Sequence, residues 1–422
     1  MNEYPHNPLL DSRTFVPDVE AHAWGDGRIY LYGSYDIQGN CGYCSDVYHV
    51  FSSPDLINWT DHGVAFSLAD SNWARDCGAL YAPDCAYRDG WYYLYYCVPD
   101  GRCGVAKSQS PAGPFRDVGQ IAGVQGIDPA VLMDDDGQAY LYWGQLTWGK
   151  VAKLRDNMVE IDPDTITQSL TVAEHEFHEG SSVKKINGKY YFLFADTHRH
   201  GGRPTSLGYA VSDDPMKGFR YGGVVIDNFG CDPAVWNDHG SMECFGGQWY
   251  VFYHRSTHGT EFSRRVCAEP IFIQSDGSIP EVVQTSAGVG RTIPADRVIP
   301  AQLACELSGQ ARVAGEPSAG GALMLTELAD RDTATYRYLD FHGEDTFRIR
   351  MRSGGEGRVE LYTDGLYHAE LSIPDGTDFV ETVGHIPPLH GTHTLTLKFY
   401  GNLRDAAVEA FSFAAGAVAK LS

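Results

Sequence analysis

The feature that most constrains the fold of this 422-residue chain is an internal repeat. Five segments share one order: a polar residue, a short apolar strand, a Gly/Asp/Asn turn, then an aromatic strand. They read PDVEAHAWGDGRIYLYGS from Pro17, PDCAYRDGWYYLYY from Pro83, and IDPAVLMDDDGQAYLYWG from Ile127. HEGSSVKKINGKYYFLFAD follows from His178, and HGSMECFGGQWYVFYHR from His239. Turns such as Asp89-Gly90, Asn187-Gly188 and Gly246-Gly247 are hairpin connections. The aromatic strands recur roughly every 45 to 65 residues, the size of a propeller blade. A few strand residues, a serine and then Trp or Phe follow several of them, as in Phe51–Trp59 and Tyr209–Phe219, which predicts outer blade strands. No amphipathic helical stretch interrupts the pattern. The expectation is all-β: a five-bladed β-propeller over residues 1–300.

Propeller geometry turns the repeat into chemistry. First strands line the axis, so their leading residues, Asp18, Asp84, Asp128, Glu179 and His239, face one another across a pocket. Converging carboxylates raise one another's pKa values, and packing gains nothing from them. A functional origin is favoured for Asp128 and Glu179, whereas Asp84 also reads as a simple turn cap.

Composition narrows the class of partner. A formal net charge of −23 repels phosphate backbones and anionic lipid, so neither nucleic acid nor membrane is expected. No stretch approaches the ~20 apolar residues of a membrane span. The start, MNEYPHNPLLDSRTF, has neither a basic nor an apolar leader segment, which suggests a cytoplasmic protein. Of ten cysteines only Cys41 and Cys44 form a CxxC, without a second pair at zinc spacing. They read as reduced small hydrophobes. The 25 Tyr and 8 Trp suit sheet packing and also sugar faces, and Trp24, Trp73 and Trp143 are candidate stacking surfaces.

The blade headings resemble glycoside hydrolase family 43, the five-bladed arabinofuranosidases, arabinanases and β-xylosidases. The motifs are Phe15-Val16-Pro17-Asp18, Ala82-Pro83-Asp84, Gly126-Ile127-Asp128-Pro129, Glu179-Gly180-Ser181 and Asn237-Asp238-His239-Gly240-Ser241, in family order. One departure is Val19, where the family usually has proline. The resemblance implies inversion, with Asp18 as general base, Glu179 as general acid and Asp128 as the helper that raises the acid's pKa. Asp18, more open to water, would stay ionised. The resemblance further implies that Arg264 contacts sugar and the helper aspartate, that Asp84 borders the substrate, and that His239 lies near a structural Ca²⁺ on the axis. No cofactor is needed for the chemistry itself. The Arg-Asp-Pro motif of retaining fructan hydrolases is replaced by Ile127-Asp128-Pro129, which argues against that class.

After Pro300 the character changes. Strands such as Phe347-Arg348-Ile349-Arg350-Met351 alternate cleanly, and turns recur at Gly354-Gly355, Asp364-Gly365 and Gly401-Asn402. Residues 301–422 read as a β-sandwich of jelly-roll type, similar to a family 6 carbohydrate-binding module. No tryptophan follows Trp249, so Tyr362 and Tyr367 are the remaining stacking candidates, and a packing role is favoured. The whole predicts an exo-acting hydrolase releasing terminal furanose sugars, foremost an α-L-arabinofuranosidase on plant-derived oligosaccharide or polysaccharide side chains. β-Xylosidase and β-D-galactofuranosidase are the near rivals, and a non-catalytic sugar-binding propeller is the rival of another class. Oligomeric state is not legible.

Overall fold

The computed structural model describes residues 4–146, 148–317 and 320–415. Five antiparallel sheets surround one axis. The inner strand of each is Glu20–Ala23, Tyr81–Arg88, Ala130–Met133, Phe177–Ile186 or Ser241–Phe245. Each inner strand contacts its two neighbours around the ring. Blades one to three are four-stranded meanders. Blade four gains a short fifth strand, Val282–Val283, parallel to its outer one. Blade five has three strands, and the N-terminal segment runs beside its last. Leu9 N donates to Val266 O at 2.9 Å, and Ala268 N donates to the Asn7 side chain at 2.9 Å. The ring is thus closed by residues far apart in sequence. Among the described residues, one short α-helix, Val172–His175, interrupts the β pattern.

Period-two alternation of the aromatic strands explains why the blades cohere. In blade two, Leu94 and Tyr96 point towards blade one, while Tyr95 and Cys97 point towards blade three. The same parity recurs around the ring, so each of the five inter-blade clefts holds its own apolar cluster. Burying one such side chain is worth about 1.5–3 kcal/mol, which makes the clefts the main cohesive element. Two-residue turns match the sequence signal: Asp89 and Gly90 sit at φ 50° and 83°. The cysteines are all free thiols.

The C-terminal part is a β-sandwich of two six-stranded sheets. Phe347, Ile349 and Met351 point inward to one shared cluster, with Leu395, Leu397 and Phe399 opposite. Strand pairing reaches upstream of residue 301: Ile293–Pro294 and Ile299–Pro300 pair with sandwich strands Thr333–His342 and Ala407–Ala414. The propeller's Phe15 is buried in the same cluster. His258 N donates to Val313 O at 2.8 Å, and Gly315 N donates to His258 Nε2 at 2.9 Å. Tyr367 is half exposed, with Tyr362 edge-on to it at 5.6 Å.

Candidate active site

At one mouth of the axis a cavity of about 140 Å³ is lined by Asp18, Asp128, Glu179, His239 and Arg264, with Tyr43, Gln145 and Arg203. On this measure one water needs roughly 10–15 Å³, so the cavity has room for several waters or a small ring. Asp18 and Asp128 each occupy the left-handed region, φ 55° and 57°, two residues before the start of an inner strand. Such backbone is sparsely populated by non-glycine residues and concentrates at functional sites. Gly180 follows Glu179 at φ 77°, and a Cβ there would lie 2.7 Å from the His239 ring. Only glycine lets blade four approach blade five this closely, which accounts for the Glu-Gly pair.

The electrostatics of Asp18 differ from expectation. It is the more buried carboxylate, with 9% of its side chain exposed against 19% for Glu179. Arg264 Nη1 donates to Asp18 Oδ1 at 2.9 Å, while its Nε and Nη2 grip Asp36 at 2.9 and 3.0 Å. Burial alone would raise the Asp18 carboxyl, but Arg264 and His239 outweigh it and hold it well below the usual carboxylate range. Asp18 is ionised because of a buried arginine rather than open water. Arg264 therefore serves Asp18 and Asp36, not Asp128 as the resemblance implied. His254 Nδ1 lies 3.6 Å from Asp18, and burial and Arg264 push this histidine down to about 3, so it is neutral.

Asp128 is the carboxyl driven upward. Burial is the main cause, and the charge of Glu179 adds to it against the pull of His239. Its Oδ2 accepts from Gly180 N at 3.0 Å, tying blade three to the Glu179 turn. Glu179 Oε2 accepts from Gln145 Nε2 at 2.8 Å and lies 3.8 Å from His178 Nε2. Tyr43 caps Arg264, whose guanidinium carbon is 5.0 Å from the ring centroid, and its hydroxyl accepts from Arg203 at 3.1 Å.

Several predicted substrate contacts lie elsewhere. Trp143 is almost completely buried in the cleft between blades two and three, on the same strand face as Ala139 and Leu141. Its parity points it into the core, so it cannot stack on a sugar. Trp73 lies flat against Tyr96, 5.8 Å between centroids, on the blade-one side of blade two and outside the cavity. Trp24 stacks on His22 at 4.6 Å and borders a different depression of about 390 Å³ with Lys184 and Glu243. Asp84 lies on the axis but does not line the cavity. Its Oδ1 meets His22 Nε2 at 2.7 Å and its Oδ2 accepts from Val131 N at 2.6 Å. Sequence reasoning missed Gln145 and Arg203. Gln145 carried a signal as the polar end of an aromatic strand; Arg203, in the loop before Ser206–Ser212, carried none.

A calcium ion beside His239 does not fit the donors there. His239 Nδ1 faces Asp18 Oδ1 at 3.5 Å and Asp128 Oδ2 at 4.0 Å. Burial opposes its charge, but these carboxylates prevail and raise its pKa. Calcium prefers oxygen, and the oxygens beside this imidazole are already engaged, Asp18 Oδ1 by Arg264 and Asp128 Oδ2 by Gly180 N. Among the described residues, the group that brings three potential ligand atoms within 4.8 Å of one another is Glu20, His22 and Asp84, deeper on the axis.

The sequence profile of glycosyl hydrolases family 43 matches residues 5–279. A xylosidase/arabinosidase of Thermoclostridium stercorarium is 30% identical, over 98% of this chain and 99% of its own length. A β-D-galactofuranosidase of Aspergillus niger is 30% identical over 68% of this chain and 88% of its own. Among solved structures, a Bacillus subtilis arabinoxylan arabinofuranohydrolase in complex with cellotetraose superposes with TM-score 0.58 at 25% identity, covering 97% of both chains.

Proposed function

This chain belongs to glycosyl hydrolases family 43 and hydrolyses glycosidic bonds, and from that premise we propose an inverting exo-enzyme that releases single terminal furanose sugars, foremost α-L-arabinofuranose. The observation that carries the reading is the small cavity into which blades one, three and four each deliver a carboxyl group. In this mechanism Asp18, kept anionic by Arg264, removes a proton from the water that attacks the anomeric carbon. Glu179, oriented by Gln145, protonates the departing oxygen. Inversion needs these two carboxyls about 6.5–9.5 Å apart with water between them, and a base or acid of this kind supplies roughly 10²–10⁴-fold. Asp128 and His239 set the field between them. Relatives named for xylose, arabinose and galactofuranose support a pentose-sized or furanose substrate. The sandwich, sharing its core with Phe15, we read as a buttress rather than a tethered sugar-binding module.

The test is a panel of nitrophenyl α-L-arabinofuranoside, β-D-xylopyranoside and β-D-galactofuranoside, with the product anomer followed by proton NMR. The arabinofuranoside should have the highest kcat/KM, with inverted product first. Retained configuration, or no turnover of any of the three, removes the proposal.

A further inference from the structure

Below the catalytic mouth the axis carries a second polar cluster. Asp18, Glu20 and His22 alternate along blade one, so the strand that presents the base at its head presents Glu20 and His22 further down. Asp84, Lys184 and Glu243 converge there from blades two, four and five. The Lys184 ammonium donates to Glu243 Oε2 at 3.0 Å and to Ala21 O at 3.2 Å. Its third partner is His22 Nδ1 at 3.4 Å, while His22 Nε2 meets Asp84 Oδ1. In the tautomer this network assigns, Nε2–H donates to Asp84 and Nδ1 accepts from lysine. Asp84 Oδ2 accepts from Val131 N, which brings in blade three. All three ammonium donors are used, both histidine nitrogens are used, and all five inner strands are joined. Burial opposes the Lys184 charge, but Glu243, Glu20 and Asp84 more than compensate and keep it protonated.

Glu20, His22 and Asp84 are close enough together to hold a metal ion, yet His22 and Asp84 are already engaged by this network. We propose that Lys184 is the axial cation of this propeller and a positioning residue for catalysis: its ammonium neutralises the axial carboxylates where a divalent ion would otherwise be required. Through the hub it aligns the strands headed by Asp18, Asp128 and Glu179. The metal arm of this inference is independent of the catalytic reading; only the kinetic arm rests on it.

The experiment compares the full-length protein with Lys184→Ala, each in EGTA and in millimolar calcium, by thermal unfolding and steady-state kinetics. The wild type should be indifferent to both additions, its Tm moving by less than about 1 °C. Lys184→Ala leaves Glu20, Asp84 and Glu243 facing one another, and its Tm should fall by on the order of 5 °C. Its kcat should fall roughly tenfold with KM little changed, as expected of displaced catalytic groups. Calcium or methylammonium should restore much of both losses in the variant alone. A variant that is insoluble in EGTA but refolds in calcium gives the same support. A wild type that loses stability in EGTA overturns the proposal. So does a variant as stable and active as the wild type without added cation, or one that no cation rescues. Normal metal response with no turnover of any glycoside would instead indict the catalytic reading.

Discussion

The catalytic mouth and the hub beneath it are built from the same five inner strands, yet they use paired charge for different ends. In the hub, Lys184 spends every donor on a partner and Asp84 accepts through both oxygens. At the mouth, Asp18 and Asp128 are held in left-handed backbone, and Glu179 keeps one face towards the cavity. Asp18 too accepts through both oxygens, from Arg264 and Ser34, so what sets the mouth apart is its strained backbone and open face rather than unmade bonds. The difference teaches that one strand can carry the reacting group at its head and, further down, the groups that hold it in place.

The sharpest way to break that comparison is at the head of blade one. Asp18→Asn should lower kcat by roughly 10³–10⁴-fold on every substrate, because water needs a base whatever the leaving group. Its Tm should fall as well: asparagine tolerates the φ of 55° but removes the anion paired with the buried Arg264, which keeps only Asp36. Azide rescue of Asp18→Ala with a retained-configuration product would make Asp18 a nucleophile.

Glu179→Gln should have a smaller, selective effect. Oligosaccharides with poor leaving groups should lose roughly 10²–10³-fold, and activated dinitrophenyl glycosides less than about tenfold, because only the former need a proton in the transition state. Equal losses on both would remove Glu179 from the acid role.

The smallest effect is a pH limb. The folded-state pKa of Asp18 is depressed, so its pairing adds stability above the ordinary aspartate value of about 3.9. That contribution is lost only as pH falls through the folded value. The acid limb of kcat/KM, measured as initial rates after brief exposure, should accordingly lie below about pH 4. A limb centred at pH 5 or above would show that Arg264 does not govern the base.

Much of this protein was determined by sequence alone. The repeat, the hairpin turns and the alternating aromatic strands follow from local backbone preferences and a period of two, which any short window displays. The heads of the five strands were legible for the same reason, and with them Asp18, Asp128, Glu179 and His239. Parity also held the answer for Trp143: counted from Leu141, it faces the core. Only the closed ring decided which strand face meets which neighbour. That closure sets Arg264 on Asp18, 246 residues away in sequence, and makes the base the more buried acid. It likewise brings Lys184 to Ala21 and Glu243 on the axis, and carries Arg203 to Tyr43. Long-range electrostatic pairing leaves no periodic trace in a chain, because it depends on distances that exist only once five blades have met.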